Sequence, residues 1–412
     1  MTQSPTSTLH EECAGALATL RTANQTFARR YPGDRSARQP VHTVYGGANL
    51  FKATTCGKLG QLALRSLDTY APDAATFAQA VGIEDLELAK VVYDRMRAKL
   101  EREAVEDFRI DFEDGFGNRP DEEEDAVAIQ AAKEVAKGMK EGGLPPFLGI
   151  RIKPLNDELF ARSVRTLDLF FTTLIAEAGA VPENFVVTLP KIPIPAQVTT
   201  LVRLFEALEK RLELPQGSLQ MEIMIELTTS ILDHEGRSML PQLHAAAEGR
   251  LRGAHFGTYD YTASCNITAA YQNITHPACD FALHFMKVAF GGTGVWLSDG
   301  ATNVMPVGPH RAPKGGSLTD AQQNENRDVV FASWKLADDN TTHAPENGYY
   351  QGWDLNPAHQ ELRRAQGPAL IANVLHCVRG GGVSQLPRGE HDVAVSGSLS
   401  DGERTAHGHG GR

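Results

Sequence analysis

Met221-Glu-Ile-Met-Ile-Glu226 and Gly249-Arg-Leu-Arg-Gly-Ala-His-Phe-Gly-Thr-Tyr-Asp-Tyr-Thr-Ala-Ser264 read as two buried strands, each followed by an acid. Ile- and Met-rich runs of this kind belong to strands sealed on both faces of a parallel sheet, where only the ends reach solvent. Glu226 closes the first strand. Asp260 lies just past the second, 34 residues further on. Either acid taken alone reads more simply as a helix N-cap or a loop residue. Taken together they sit at corresponding ends of neighbouring strands.

The same pattern extends in both directions. Candidate strands are Val41–Tyr45, Phe108–Phe112, Phe147–Ile152, Phe185–Leu189, Met221–Ile225, Gly253–Phe256, Val295–Leu297 and Tyr349–Trp353. Helical patterns separate most of them, among them Ala126–Lys140, Asp157–Ala178, Ala196–Leu212 and Met239–Ala247. Strands alternating with helices imply βαβ units and a parallel sheet. Eight of them over this length suit an α/β fold of the TIM (β/α)8 barrel type. A doubly wound open sheet is the alternative, but no G-x-G-x-x-G follows the first strand. Residues 1–39 form a lead-in with a helix around Glu11–Arg30, and 40–378 form the barrel domain. The segment Ala53–Arg102 is longer than one crossover needs and should hold two or three helices. Residues 379–412, rich in Gly, Ser, Asp and His, read as a disordered tail.

Charge and composition narrow the class. Of 412 residues, 42% are hydrophobic and 22% charged, as in ordinary soluble enzymes. The net charge of -11 and the lack of a long basic run argue against nucleic-acid partners. No apolar run is long enough for a membrane span, and the N-terminus lacks a secretory pattern. The five cysteines, Cys13, Cys56, Cys265, Cys279 and Cys377, show no C-x-x-C spacing. They read as reduced thiols of a cytoplasmic protein without a zinc site. Cys265 reads as a structural thiol, not a nucleophile.

Chemistry-bearing residues gather at strand ends. Arg109-Ile-Asp-Phe-Glu-Asp-Gly-Phe-Gly117 runs from an apolar strand into Asp111, Glu113 and Asp114. Three acids this close need a raised pKa, hydrogen bonds or a facing cation. The following run Asp121–Asp125 reads as the acidic first turn of a helix. Arg151 and Lys153 end the next strand, where a guanidinium can hold a carboxylate bidentately or pair with the acidic cluster. Lys191 follows the fourth strand in an electrostatic or structural role. Tyr45-Gly-Gly47 ends the first strand with a turn whose N–H groups can approach an anion. His255, inside the sixth strand, reads as a packed histidine. Two acids delivered to one barrel face, Glu226 and Asp260, can hold a hard cation such as Mg²⁺ through oxygen ligands.

These pieces, in this order, resemble the superfamily of HpcH/HpaI aldolases, citrate lyase β-subunits and malate synthases. The resemblance rests on Asp111-Phe-Glu-Asp114, Arg151, Leu189-Pro-Lys191, Glu226 and the Gly257-Thr-Tyr-Asp-Tyr-x-x-Ser264 run, and spans about residues 40–365. It implies a TIM barrel with Mg²⁺, or alternatively Mn²⁺, at the C-terminal face of the strands. Glu226 and Asp260 then match the metal ligands, and Arg151 the arginine that binds a substrate carboxylate. Arg151, Lys191, Tyr45 and Gly257 would face substrate, with Arg151, Glu113 and Asp114 as catalytic groups. Malate synthases add a C-terminal helical domain with a catalytic aspartate. Here one helix and a polar tail follow residue 365, which suggests an outlying branch.

The chemistry implied is enolate chemistry. A cation and a guanidinium stabilise the enolate oxygen, and an acid–base group, Glu113 or Asp114, moves a proton. The expected function is a Mg²⁺-dependent carbon–carbon lyase or aldolase on a 2-keto acid, hydroxy acid or acyl-CoA. The alternatives are an enzyme handling phosphoenolpyruvate and a non-catalytic metal-binding barrel. The expected partners are a small carboxylate or acyl-CoA substrate and further copies of the chain in a homo-oligomer, with neither nucleic acid nor membrane.

Overall fold

Eight parallel strands close into one barrel in sequence order in the computed structural model, which describes Leu9 and residues 13–356. The strands are β1 His42–Gly47, β2 Asp107–Asp111, β3 Phe147–Arg151, β4 Phe185–Leu189, β5 Gln220–Ile225, β6 Leu251–Phe256, β7 Trp296–Ala301 and β8 Gln351–Asp354. β8 returns to β1 with Gly352 opposite His42, which closes the sheet. This is the TIM barrel that the strand rhythm implies. The expected tail from Arg379 and Cys377 lie outside the described residues. Among those described, no helix is long and apolar enough to cross a membrane.

Alternation along each strand sorts side chains between the barrel lumen and the helical shell. On β2, Phe108 and Ile110 join the main apolar core, while Asp107, Arg109 and Asp111 take the other face. That core also includes Leu148, Ile150, Val187, Ile223 and Phe256, packed against the surrounding helices. These are α5 Asp121–Glu141, α6 Phe160–Ala178, α7 Pro195–Arg211, α9 Leu240–Ala246 and α11 Pro277–Phe290. Their termination follows local chemistry. α5 and α6 stop at Gly142 and Gly179, both in the left-handed region that glycine adopts without steric cost.

Between β1 and β2 the chain forms three helices, α2 Thr55–Tyr70, α3 Ala74–Val81 and α4 Leu86–Glu103. They build a second apolar cluster with α12, Asp320–Glu346, in which Leu67, Phe77, Met96 and Trp334 are buried. The lead-in is helical over α1, Ala14–Arg30. Two short helices follow strand ends directly, α8 Thr228–Ile231 after β5 and α10 Thr258–Ser264 after β6. α10 carries Asp260 in its first turn.

Inside the barrel an ionic plug replaces the usual aliphatic layers. Arg109 is 1% exposed and reaches across the lumen. It pairs with Asp107 beside it, donates to Thr188 Oγ1 on β4 at 3.2 Å and to Glu222 on β5 at 2.5 Å. Gly149 makes room, since a Cβ there would lie 3.2 Å from Arg109 Cδ and closer still to Val186. His255 Nε2 meets Glu222 Oε2 at 2.8 Å, and Trp353 Nε1–H donates to His255 Nδ1 at 3.0 Å. The indole can only donate, so Nδ1 accepts and the ring proton sits on Nε2. His255 is thus a packed, hydrogen-bonded core residue.

Candidate active site

Above the plug, at the C-terminal mouth of the barrel, the ends of β2 to β6 bring five carboxyl groups and two cations together. Asp111 organises the first part. Its Oδ1 and Oδ2 accept from the Glu113 and Gly115 N–H groups at 2.9 and 2.8 Å, which folds the turn after β2. The same two oxygens take Arg151 Nε and Nη2 at 2.7 and 2.5 Å, a bidentate pair between β2 and β3. Gly115 is needed here, because a Cβ would lie 2.6 Å from Asp111 Oδ2. β2 ends at Asp111, so Glu113 belongs to the turn that follows it. Its carboxylate still reaches Arg151 Nη1 at 3.1 Å, with Asp114 at 3.6 Å.

Arg151 is 5% exposed, and its guanidinium also lies over the Tyr45 ring at 4.8 Å. Tyr45 in turn packs on Trp353 at 4.6 Å and turns its hydroxyl to Met224 Sδ. Tyr45 therefore backs the arginine from within the barrel. Lys153, on the same segment as Arg151, points away from the mouth. Its ammonium pairs with Glu124 at 2.8 Å and donates to the Phe112 carbonyl.

Lys191 links the two acidic halves. Its Nζ lies 2.5 Å from Glu113 Oε1, 3.3 Å from Asp114 Oδ2 and 3.1 Å from Asp260 Oδ2. Its backbone N–H donates to Glu226 Oε1 at 2.7 Å. That geometry requires φ of 51° at a lysine, a left-handed conformation costing about 1–2 kcal/mol. Glu226 is buried at the end of β5. Gly257, at the end of β6, lies against it, and its N–H donates to Ile225 O at 3.0 Å. The structure thus gathers Asp111, Glu113, Asp114, Arg151, Lys191, Glu226 and Asp260 at one mouth. Tyr45 and Gly257 support it from behind.

Electrostatics follow from this crowding. Burial, then the neighbouring Asp260 and Glu113 carboxylates, push Glu226 up to about 8 against the pull of Lys191 and Arg151. Burial and the hydrogen-bonded Asp114 push Glu113 up to about 7 against Arg151 and Lys191. Asp114 moves the other way. Burial raises it, but Glu113, Arg151 and Lys191 together hold it below its usual value. Lys191 is desolvated, which favours the free amine, yet Glu226 and Glu113 raise it above its usual value. It is a standing cation, not an amine ready for Schiff-base chemistry.

Among the described residues, no three His, Cys, Asp or Glu side chains are already grouped as a metal cage. The donor set nevertheless fits a hard cation. Every candidate ligand is a carboxylate oxygen, as Mg²⁺ prefers. Glu226 and Asp260 both contact Lys191, from its backbone and its ammonium respectively.

Solved structures similar to this chain include a citrate lyase, a malate synthase and an aldolase. A citrate lyase from Burkholderia xenovorans LB400 aligns at TM-score 0.48 and 16% identity, over 84% of this chain and 83% of that one. The Haloferax volcanii malate synthase magnesium/glyoxylate complex aligns at 0.48 and 14%, over 81% and 76%. An HpcH/HpaI aldolase from Desulfitobacterium hafniense DCB-2 aligns at 0.37 and 14%, over 83% and 92%. No curated protein matches the sequence. Residues 20–369 match the model of a family described as a domain of unknown function, DUF6986, and the chain belongs to that family.

Proposed function

We propose that this chain is a Mg²⁺-dependent carbon–carbon lyase or aldolase that acts on a 2-keto acid, a hydroxy acid or an acyl-CoA thioester. One observation carries the reading. Four carboxyl groups, Asp111, Glu113, Asp114 and Asp260, pair with the Lys191 ammonium or the Arg151 guanidinium, and a fifth, Glu226, accepts from the Lys191 N–H, at the strand-end face of a TIM barrel, the face where catalytic residues of this fold collect. Two of those carboxyls, Glu113 and Glu226, are held up to about 7 and about 8.

Glu226 and Asp260 would hold the cation, which when bound supplies a Lewis acid for the oxygen of an enolate. The chain's own groups account for the rest. Asp111 and Tyr45 fix Arg151 so that Nη1 faces the mouth, where it can clamp a substrate carboxylate. Glu113 titrates near neutrality and lies beside that guanidinium, so it can accept and return a proton at the carbon next to the carbonyl. Asp114 remains the ionised partner of the pair. Lys191 stays protonated and adds fixed positive charge.

Calorimetric titration with Mg²⁺ alone, followed by turnover on a panel of 2-keto acids, hydroxy acids and acyl-CoA thioesters, tests the proposal. Glu226→Gln and Asp260→Asn should each weaken Mg²⁺ binding at least tenfold and abolish turnover, with the far-UV spectrum unchanged. Full metal binding and activity in either variant would sink it. Metal binding without turnover on any of these classes would point instead to a binding protein.

A further inference from the structure

None of the 17 residues of α1, Ala14–Arg30, is buried. Leu17 is 42% exposed, Leu20 54% and Phe27 64%. The helix is tied to the barrel just past its C-terminal end, where the Gly33 N–H donates to Gly292 O and Arg35 Nε to Gly294 O. A helix of this length extends about 25 Å and is marginal in water by itself. This one also contains Gly15, Thr19, Thr22 and Thr26 and has no side-chain N-cap, all of which weaken it. Its stability therefore calls for a partner surface.

The sequence specifies that surface. Cys13, Leu17, Leu20, Asn24, Phe27 and Tyr31 follow one another at steps of four, three, four, three and four. This is the heptad seam of a coiled coil, with Asn24 at an a position. A single Asn in that place specifies register and oligomer state in parallel two-stranded coils, where it meets its own counterpart. Charge selects the same orientation. Ala14–Arg30 carries Arg21, Arg29 and Arg30 and no acid. Antiparallel pairing brings Arg21 against Arg21 of the second copy. Parallel pairing sets Arg21 beside the small Ala16 and leaves Ala23 beside Ala28, with no like charges opposed.

We propose that α1 is a dimerisation arm that pairs in parallel with α1 of a second copy of this chain. The seam is short for a stable interface, which buries roughly 1,200 Å² or more, so the dimer should dissociate on dilution. Sedimentation velocity on the full chain over a range of concentrations should show a mass rising towards twice that of one chain. Leu20→Asp combined with Phe27→Asp should return it to the mass of one chain at every concentration, with the thermal unfolding of the barrel unchanged. Treatment with diamide, which takes up the thiol electrons and protons, should join Cys13 to Cys13 of the second copy. Cys13→Ser should abolish that covalent dimer. A single-chain mass for the unaltered protein throughout, or a variant that assembles like it, overturns the proposal. A dimer that diamide does not join through Cys13 overturns the parallel arrangement.

Discussion

A methyl group on Gly257 would lie 2.6 Å from both Cβ and Oε2 of Glu226. The backbone at Gly257 has φ of -93°, which any residue can adopt. A substitution there therefore acts on the neighbouring carboxylate and not through backbone strain. Gly257→Ala should leave the barrel folded and push Glu226 off its position beside the Lys191 N–H. Outer contacts that orient a metal ligand are worth about 10- to 100-fold in affinity, so Mg²⁺ binding measured by calorimetry should fall by at least tenfold. Unchanged affinity in a folded variant would place the cation away from Glu226. Strand-end acids and Arg151 were legible in the sequence because each terminates an apolar run. The job of Gly257 was not, because the side chain it must clear comes from the preceding strand. Nor was that of Asp111. It stood in the sequence as one of three similar acids, and only the turn geometry separates it as the residue that holds both Arg151 and the Gly115 N–H.

At the level of elements, the eight strands were readable and their ends less so. The sequence reading stops β7 at Leu297, yet the strand runs on to Ala301. α8 and α10, four and seven residues long, are too short for a helical period to show. Asp260 accordingly read only as an acid just past the sixth strand, and it stands in the first turn of α10. Connections between elements depend on pairs that sequence spacing does not reveal. Glu209 on α7 accepts from the Gly217 and Leu219 N–H groups, at 3.0 and 2.9 Å, and pairs with Arg250 at 2.6 Å. One carboxylate thus fixes the α7–β5 loop to the start of β6. Burial raises Glu209, but Arg250 and the two N–H groups outweigh it and hold it below its usual 4.5. A carboxyl depressed in the folded state contributes stability at pH values above 4.5 and loses it as pH falls through the folded value. Glu209→Gln should cost about 2 kcal/mol near neutrality. It should also flatten the acid limb, so that urea unfolding curves of the variant and the unaltered protein converge as pH falls below the usual 4.5 of the carboxyl. Parallel acid limbs would assign the loop's stability to other contacts.

For the whole molecule, the ionic plug is what distinguishes this barrel from one filled with aliphatic layers. The polar alternation Asp107, Arg109, Asp111 is visible in the sequence, but β2 reads there as an apolar strand that ends in an acidic cluster. Its consequence appears only when closure brings Glu222 and Thr188 to the Arg109 guanidinium and extends the network from Glu222 through His255 to Trp353. Burial opposes every charge in this network. Burial keeps Asp107 above its usual value even though Arg109 pairs with it. Such an assembly adds less to stability than its short contacts suggest, because removing charges from water offsets most of the attraction. Breaking it is different from replacing it. Arg109→Leu leaves Asp107 and Glu222 buried with no guanidinium and should cost about 3–5 kcal/mol. Restoring neutrality with Asp107→Asn and Glu222→Gln on the same background should recover part of that loss, since the remaining groups can then hydrogen-bond without charge. Denaturant unfolding of the three proteins reads both effects. If Arg109→Leu costs no more than an ordinary core truncation, or the added substitutions recover nothing, the lumen is held by shape and not by charge balance. The Tyr45–Trp353 stack under Arg151 joins the plug to the mouth, so a weakened plug should also loosen the guanidinium that faces the candidate site.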